Sequence, residues 1–124
     1  MISKPVSFLI VEDSEDLCKG WEDILSIDGH QVKYFTTGHA ALRAPQVFSQ
    51  CDILVSDYYL PDINGIDLIT KIRESRPTLP VILLTGSKDP AVRESIKKIP
   101  NALLLHKPLG IDELENAVNR ILSA

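Results

Sequence analysis

The stretch Asp52-Ile-Leu-Val-Ser-Asp57 sets three apolar residues directly before a serine and an acid, and Phe8-Leu-Ile-Val-Glu-Asp13 likewise ends an apolar run on acids. In both stretches the apolar residues are continuous rather than alternating. A short continuous run is typical of a strand buried on both faces of a parallel sheet. We therefore expect two interior strands, each followed directly by acidic side chains.

Apolar runs of this length recur along the chain. They are Val6–Val11, Val32–Phe35, Ile53–Val55, Val81–Leu84 and Ala102–Leu105. Three of the five are continuous, whereas Val32–Phe35 alternates in part and is expected nearer an edge of the sheet.

Helical patterns separate the runs. The first has Ser14 as its expected N-cap, Gly29 as its stop and an apolar stripe of Leu17, Trp21, Ile24 and Leu25. The third contains Ile66, Leu68, Ile69 and Ile72 and ends before Pro77. The fourth begins at Asp89-Pro90 and contains Val92, Ile96 and Ile99. The fifth begins near Asp112 and is expected to bury Leu114, Val118, Ile121 and Leu122. Within the second, from Gly38 to Phe48, Pro45 is expected to shorten or kink the helix.

Strand and helix thus alternate five times with short connections, and the chain of 124 residues has the length of one domain. This pattern predicts an α/β fold, a doubly wound five-stranded parallel sheet with helices on both faces, because each crossover helix must pack back on the sheet. We expect a single domain over residues 1–124.

Composition excludes several classes of function. The net charge of −4 offers no broad basic surface for direct binding of nucleic acid by this domain. No apolar stretch approaches the ~20 residues of a membrane span. The two cysteines, Cys18 and Cys51, show no metal-binding spacing, and a reducing cytoplasm explains them more simply than a disulfide. A cytoplasmic protein is expected.

Reactive side chains follow four of the five apolar runs. Glu12 and Asp13 follow the first, Asp57 the third, Thr85 the fourth and Lys107 the fifth. In open parallel sheets, ligands bind outside the carboxyl ends of the strands. We therefore expect three carboxylates, one hydroxyl and one ammonium to meet at a single edge.

Such a cluster needs a cation. Two carboxylates ~4 Å apart repel by about 4 kcal/mol at an effective dielectric near 20. Oxygen ligands favour a hard divalent ion, and Mg²⁺ suits a site with few carboxylates that keeps room for a phosphoryl group. Phosphoryl transfer requires in-line positioning and dispersal of negative charge, which Thr85 and Lys107 can supply, with Asp57 as the nucleophile.

The strand ends resemble those of response-regulator receiver domains. The four runs that carry the resemblance are Phe8-Leu-Ile-Val-Glu-Asp13, Asp52-Ile-Leu-Val-Ser-Asp57, Val81-Ile-Leu-Leu-Thr-Gly86 and Leu104-Leu-His-Lys-Pro108. The loop Asp57-Tyr-Tyr-Leu-Pro61-Asp-Ile-Asn-Gly65 is similar to the family's loop, with a proline four and a glycine eight residues after the acceptor. The resemblance covers essentially the whole chain.

The resemblance implies a flavodoxin-like (β/α)5 receiver fold with strand order 2-1-3-4-5. It implies that Asp57 is the phosphoacceptor and that Asp13, Asp57 and the backbone carbonyl of Tyr59 hold Mg²⁺, with Glu12 acting directly or through water. It also assigns Pro61, Gly65 and Pro108 to loop geometry, the last through a cis bond after Lys107.

This chain departs from the family at Leu104, three residues before the signature lysine, where receivers usually carry tyrosine or phenylalanine. Leucine cannot present the same rotating ring, which puts the family's surface readout in doubt. Tyr59 and Ser87 occupy the positions where the family tunes phosphoryl lifetime. Tyr59 can either screen the attacking water or position it through its hydroxyl.

The resemblance implies partners rather than a metabolic substrate. A histidine kinase or phosphotransfer protein would donate the phosphoryl group, and the domain would catalyse only its own phosphorylation and dephosphorylation. The change would be read on the face made by the fourth helix, the fifth strand and the fifth helix, where homodimers are a family habit. The output domain or partner stays open.

Two rival functions remain at this point. A flavodoxin shares the architecture, but Glu12-Asp13-Ser14-Glu15 would repel a flavin phosphate. A degenerate receiver that serves only for docking gains some support from Leu104. The histidines His30, His39 and His106 are expected at the surface, with no relay role.

Overall fold

The computed structural model describes residues 2–86 and 88–123. Its strands are β1 (Ser7–Val11), β2 (Gln31–Phe35), β3 (Ile53–Asp57), β4 (Val81–Thr85) and β5 (Ala102–His106). Its helices are α1 (Glu15–Ile27), α2 (Gly38–Leu42), α3 (Pro45–Phe48), α4 (Gly65–Arg73), α5 (Pro90–Lys97) and α6 (Ile111–Leu122). Each predicted strand is present, with ends that differ from the apolar run by at most two residues.

The strands form one sheet of order β2-β1-β3-β4-β5, with each neighbouring pair parallel. The predicted α/β fold and the strand order 2-1-3-4-5 are therefore confirmed. The partly alternating strand, β2, lies at an edge as expected.

The interior strands alternate their side chains between two cores because successive residues of a strand point to opposite faces. In β1, Phe8 and Ile10 enter the core beneath α1 and α6, whereas Leu9 and Val11 enter the core beneath α2, α4 and α5. Covered on both faces, the strand has no solvent side, which is why its sequence shows no polar alternation.

Helix α1 is capped as predicted. The Ser14 side chain accepts the Leu17 N–H, and Gly29 after the helix has a φ of 85°. The apolar stripe is narrower than its sequence pattern indicated, because Cys18, Trp21 and Leu25 are buried while Leu17 is 39% exposed. Ile24, at 43% exposed, lies on the same outer side of the stripe.

Two other predictions of burial were wrong. Leu122 is 36% exposed, because it lies in the last turn of α6 beyond the buried Ile121. His30 is buried rather than at the surface: its Nδ1 accepts the Val6 N–H at 3.0 Å and its ring packs edge-on against Phe8. His39 and His106 are exposed, as expected.

The segment 38–48 is broken by its proline, as predicted. It forms two short helices, and Pro45 occupies the first position of α3, where its missing N–H costs nothing.

Gly65 allows α4 to begin close against the end of β3. A Cβ atom at this position would overlap the backbone oxygen of Asp57 and come within 2.6 Å of the Leu83 side chain. Gly20, in the middle of α1, differs, since a Cβ there would meet no atom within 4 Å. Gly20 can therefore serve as a control position for substitution of Gly65.

We expect Gly65→Ala to lower the free energy of unfolding by about 1–3 kcal/mol, the usual cost of overpacking. Gly20→Ala should raise it by up to about 1 kcal/mol, because alanine is the better helix former and has room. Urea denaturation measures both. Equal effects of the two substitutions would show that α4 does not need the close approach.

Candidate functional site

Backbone pairing continues past the ends of the strands and fixes the residues that follow them. The Glu12 N–H donates to Phe35 O at 3.1 Å, and the Lys107 N–H donates to Thr85 O at 2.9 Å. Asp57 is the last residue of β3. The N–H of the next residue, Tyr58, donates to Leu84 O near the end of β4. The predicted site residues are thus held at one edge by the sheet itself.

The structure brings the three predicted carboxylates together. One oxygen atom each from Glu12, Asp13 and Asp57 lie within 4.8 Å of one another. Glu12 and Asp57 are buried, at 1% and 3% exposed, whereas Asp13 is exposed. The cluster therefore opens to solvent on the Asp13 side.

Lys107 reaches two of these carboxylates. Its Nζ lies 2.6 Å from Glu12 Oε1 and 2.8 Å from Asp57 Oδ1. The following Lys107–Pro108 peptide bond is cis, as the family resemblance implied. The lysine side chain is 33% exposed, so its ammonium sits between the buried acids and the solvent.

The charges of the site shift the pKa values of its acids in opposite directions. Burial, assisted by the neighbouring Glu12, raises the pKa of Asp57 to about 7 against the opposing effect of Lys107. Burial alone would raise the pKa of Glu12 as well, but contacts with Asp13, Asp57, Lys107 and the Ser14 N–H lower it to about 2. Glu12 is thus the acid that keeps its charge most firmly.

Burial and contacts with neighbouring charged groups also set the pKa values of Asp13 and Lys107. Contact with Glu12 and then partial burial raise the pKa of Asp13. Burial opposes the charge of Lys107, yet Asp57 and Glu12 outweigh it and raise the lysine pKa. Three ionised carboxylates and one ammonium would sum to a charge of −2, so the site lacks positive charge.

The donor set fits a hard divalent cation. Glu12 has both oxygens engaged, Oε1 with Lys107 and Oε2 with the Ser14 N–H at 2.9 Å. Asp57 Oδ1 is buried, and its contact with the Lys107 ammonium lacks the geometry of a hydrogen bond. An all-oxygen set of this kind, with a buried oxygen short of a donor, suits Mg²⁺ better than a softer metal.

A cavity of about 250 Å³ lies over the acids. Its lining includes Asp13, Asp57, Tyr59, Thr85, Gly86 and Lys107. Thr85 is buried at the end of β4, and Tyr59 is 59% exposed at the rim. The predicted hydroxyl and ammonium therefore share one space with two of the three acids, Asp13 and Asp57.

Not every predicted residue faces this space. Leu104 is partly buried and packs against the core that contains Val92 and Ile96 of α5. Pro61 is exposed in the loop that follows β3. Ser87 lies outside the described residues, so its predicted role has no structural account.

The loop 58–64 is closed on itself. Tyr59 and Asn64 form an antiparallel bridge, and the Gly65 N–H donates to Tyr58 O at 2.7 Å. Asp62, at the tip of the loop, accepts the N–H groups of Gly38 and His39. The sequence analysis missed this contact, because nothing local in the sequence relates Asp62 to a segment 24 residues earlier.

Among residues 2–86 and 88–123, no helix combines the length and the apolar character that a membrane crossing requires.

The family model described as the response regulator receiver domain matches residues 8–119. Among curated relatives, the probable transcriptional regulatory protein TcrX of Mycobacterium tuberculosis is 33% identical over 113 residues, which cover 90% of this chain and 47% of TcrX. The response regulator receiver protein CpdR of Brucella abortus is 27% identical over 94% of this chain and 96% of its own length.

The matched relatives therefore include proteins much longer than this chain and one of about the same length. The chain spans about half of TcrX and about a quarter of the NtrC regulators of Proteus hauseri and Azospirillum brasilense, but nearly all of CpdR.

Solved structures agree with this relationship. The non-phosphorylated receiver domain of HemR from Leptospira biflexa superposes with a TM-score of 0.85 at 29% identity, covering 98% of this chain and 96% of that one. With the strand order, the acidic cluster and the match over residues 8–119 in agreement, the chain belongs to the response regulator receiver domain family.

Proposed function

We propose that this chain accepts a phosphoryl group on Asp57 from a histidine kinase or phosphotransfer protein, in a reaction that depends on Mg²⁺. The observation that carries the proposal is the meeting of three carboxylate oxygens within 4.8 Å of one another beside the Lys107 ammonium. Asp57 is the nucleophile because it is the buried acid that both lines the cavity and contacts Lys107, whereas Glu12 has both of its oxygens engaged.

In the reaction, an oxygen of the Asp57 carboxylate forms a bond to phosphorus as the bond from phosphorus to the donor nitrogen breaks. The donor keeps the electron pair of the broken bond, and its imidazole takes up a proton. The product is an acyl phosphate whose added charge lies beside Lys107. The Lys107 ammonium, which is 2.8 Å from Asp57 Oδ1, then contacts phosphoryl oxygens, and Thr85 donates its hydroxyl to another.

The residues that would hold Mg²⁺ are Asp13, Asp57 and the backbone carbonyl of Tyr59, with Glu12 acting through water because both its oxygens are already engaged. When bound, the cation supplies positive charge that the phosphoryl oxygens share. Since burial raises the pKa of Asp57 to about 7, the nucleophile carries a proton below that pH in the metal-free protein. Without the opposing contact from Lys107, which that value already includes, the pKa would be higher still.

The output face is proposed to lie on α5, β5 and α6, where a partner domain, a partner protein or a second copy of the chain would bind. Phosphorylation would draw Thr85 inward and move the loop between β4 and α5. Leu104 packs against the α5 core instead of carrying a large ring at the surface, so the readout here depends on movement of the loop and helix.

We further propose that residues 1–124 are a single receiver domain that acts in the cytoplasm as a signalling module rather than a metabolic enzyme. The free, buried thiols of Cys18 and Cys51 support a reducing compartment. Their pKa values are raised, mainly by burial, which makes both thiols unreactive.

Acetyl phosphate with Mg²⁺ should add the mass of one phosphoryl group to the wild-type protein and none to Asp57→Asn, measured by intact mass spectrometry. Asp52→Asn is the control, because Asp52 precedes the same strand at its opposite end and should leave the mass gain unchanged. Chelating the Mg²⁺ should abolish the gain in the wild type. An equal gain in Asp57→Asn would contradict the assignment of the acceptor, and no gain in the wild type would favour a receiver that only docks.

Tyr59 is proposed to limit the access of water to the acyl phosphate. Tyr59 is one of the residues that line the cavity over Asp57, and its ring packs edge-on against that of Tyr58, with ring centroids 4.7 Å apart. The alternative, that the Tyr59 hydroxyl positions the attacking water, predicts slower decay of the acyl phosphate when the hydroxyl is removed.

We expect Tyr59→Ala to shorten the lifetime of the phosphorylated protein several-fold and Tyr59→Phe to leave it near the wild-type value, since phenylalanine keeps the ring. The decay is followed by intact mass after removal of the phosphodonor. Slower decay in Tyr59→Phe would favour the hydroxyl mechanism, and unchanged decay in Tyr59→Ala would remove Tyr59 from control of the lifetime.

A further inference from the structure

The backbone N–H groups in the first turn of α2 are hydrogen-bonded to two residues, Thr37 and Asp62. Thr37, the N-cap, accepts the Ala40 N–H on its side chain at 3.1 Å and the Ala41 N–H on its carbonyl. The N–H groups of Gly38 and His39 both donate to Asp62 instead. A residue of the loop after β3 thus completes the capping of a helix that begins 24 residues earlier.

Asp62 is well matched to this task. Its Oδ1 lies 3.0 Å from the Gly38 nitrogen, and its Oδ2 lies 2.8 Å from the His39 nitrogen and 3.2 Å from His39 Nδ1. Partial burial opposes the charge of Asp62, but the donors of His39 and Gly38 outweigh it and lower its pKa. The carboxylate is therefore ionised at neutral pH and accepts charge-assisted bonds.

Close packing adds to these bonds. Gly38 is buried against Ile63, and a Cβ atom at position 38 would overlap the Ile63 side chain. The start of α2 and the tip of the loop are thus in contact through both Asp62 and its neighbour.

The loop carries this contact to the site because it is closed at its base. Tyr59 bridges to Asn64, and the Gly65 N–H donates to Tyr58 O at 2.7 Å. Four residues, 60–63, lie between the bridge partners Tyr59 and Asn64, so we expect a shift of Asp62 at the tip to be transmitted to this bridge. The backbone carbonyl proposed to bind Mg²⁺ belongs to Tyr59, within the bridge.

We propose that Asp62 is a positioning residue that fixes the loop 58–64 against α2 and thereby holds the Tyr59 carbonyl where the cation requires it. This inference rests on the proposed function of the site. It assigns to Asp62 an effect on Mg²⁺ affinity that is transmitted through the backbone of one closed loop.

The test is a Mg²⁺ titration of the full chain followed by amide NMR shifts, with the initial rate of phosphorylation by acetyl phosphate measured at each Mg²⁺ concentration. Asp62→Ala should weaken Mg²⁺ binding several-fold, less than the roughly 10- to 100-fold loss that follows removal of a group bonded directly to a metal ligand. At saturating Mg²⁺ its phosphorylation rate should return to near the wild-type value, because the acceptor and Lys107 are untouched.

Asp52→Ala is the matched control. Asp52 also accepts a backbone N–H, that of Ser7 at 2.8 Å, but lies at the opposite end of β3. It should lower the urea midpoint without changing Mg²⁺ affinity. Asp62→Asn, which keeps one oxygen acceptor, should fall between wild type and Asp62→Ala, and it decides the matter if the alanine variant fails to fold.

Each outcome has one meaning. Weaker Mg²⁺ binding in the Asp62 variants, with Asp52→Ala unchanged, supports the positioning role. Wild-type Mg²⁺ affinity in the Asp62 variants overturns it while leaving the proposed function intact. Failure of the wild type to bind Mg²⁺ or accept a phosphoryl group overturns the proposed function itself, and the inference with it.

Discussion

Three carboxylates share one ammonium group at the carboxyl edge of the sheet, and this shortage of positive charge governs the site. Lys107 contacts both Glu12 and Asp57 but leaves Asp57 Oδ1 without a hydrogen bond. Buried acids in this position hold a proton, bind a cation or accept an electrophile, because an uncompensated charge is costly away from water. The proposed binding of Mg²⁺ and the transfer of a phosphoryl group are both responses to that one electrostatic condition.

The backbone of the sheet holds the acids in this arrangement. The acids stand on strands that are covered on both faces, and backbone pairing extends past the strand ends as far as Glu12, Tyr58 and Lys107. Neither Glu12 nor Asp57 can therefore move into solvent to escape its neighbours. Acids whose pKa values are shifted in opposite directions by burial and by neighbouring charges are typical of functional sites.

Most of the fold and the composition of the site could be predicted from the sequence, because both depend on local patterns. A continuous apolar run marks a strand covered on both faces, and the residue after it must lie at the carboxyl edge, which places Asp13, Asp57, Thr85 and Lys107 without any knowledge of contacts. Short stretches of the sequence likewise predict the Ser14 cap, the break at Pro45 and the edge position of β2.

What the sequence did not indicate depends on neighbours that are distant along the chain. The sequence predicts His30 at the surface, whereas in the structure it accepts the Val6 N–H and packs against the Phe8 ring. Leu17 and Ile24 fit the helical period of α1, but they lie on the outer side of its apolar stripe and are exposed to solvent. The contact of Asp62 with the start of α2 joins a loop to a helix that no sequence pattern relates to it, and it is seen only in the folded structure.

The most direct test of the central claim is a crystal structure of the protein with Mg²⁺ and beryllofluoride, a mimic of the phosphoryl group. The account predicts beryllium on a carboxylate oxygen of Asp57, a cation bound by Asp13 and Asp57, and fluorides in contact with Lys107 and Thr85. Beryllofluoride attached to another acid, or Lys107 still paired with Glu12 and Asp57 while the cation binds elsewhere, would contradict it.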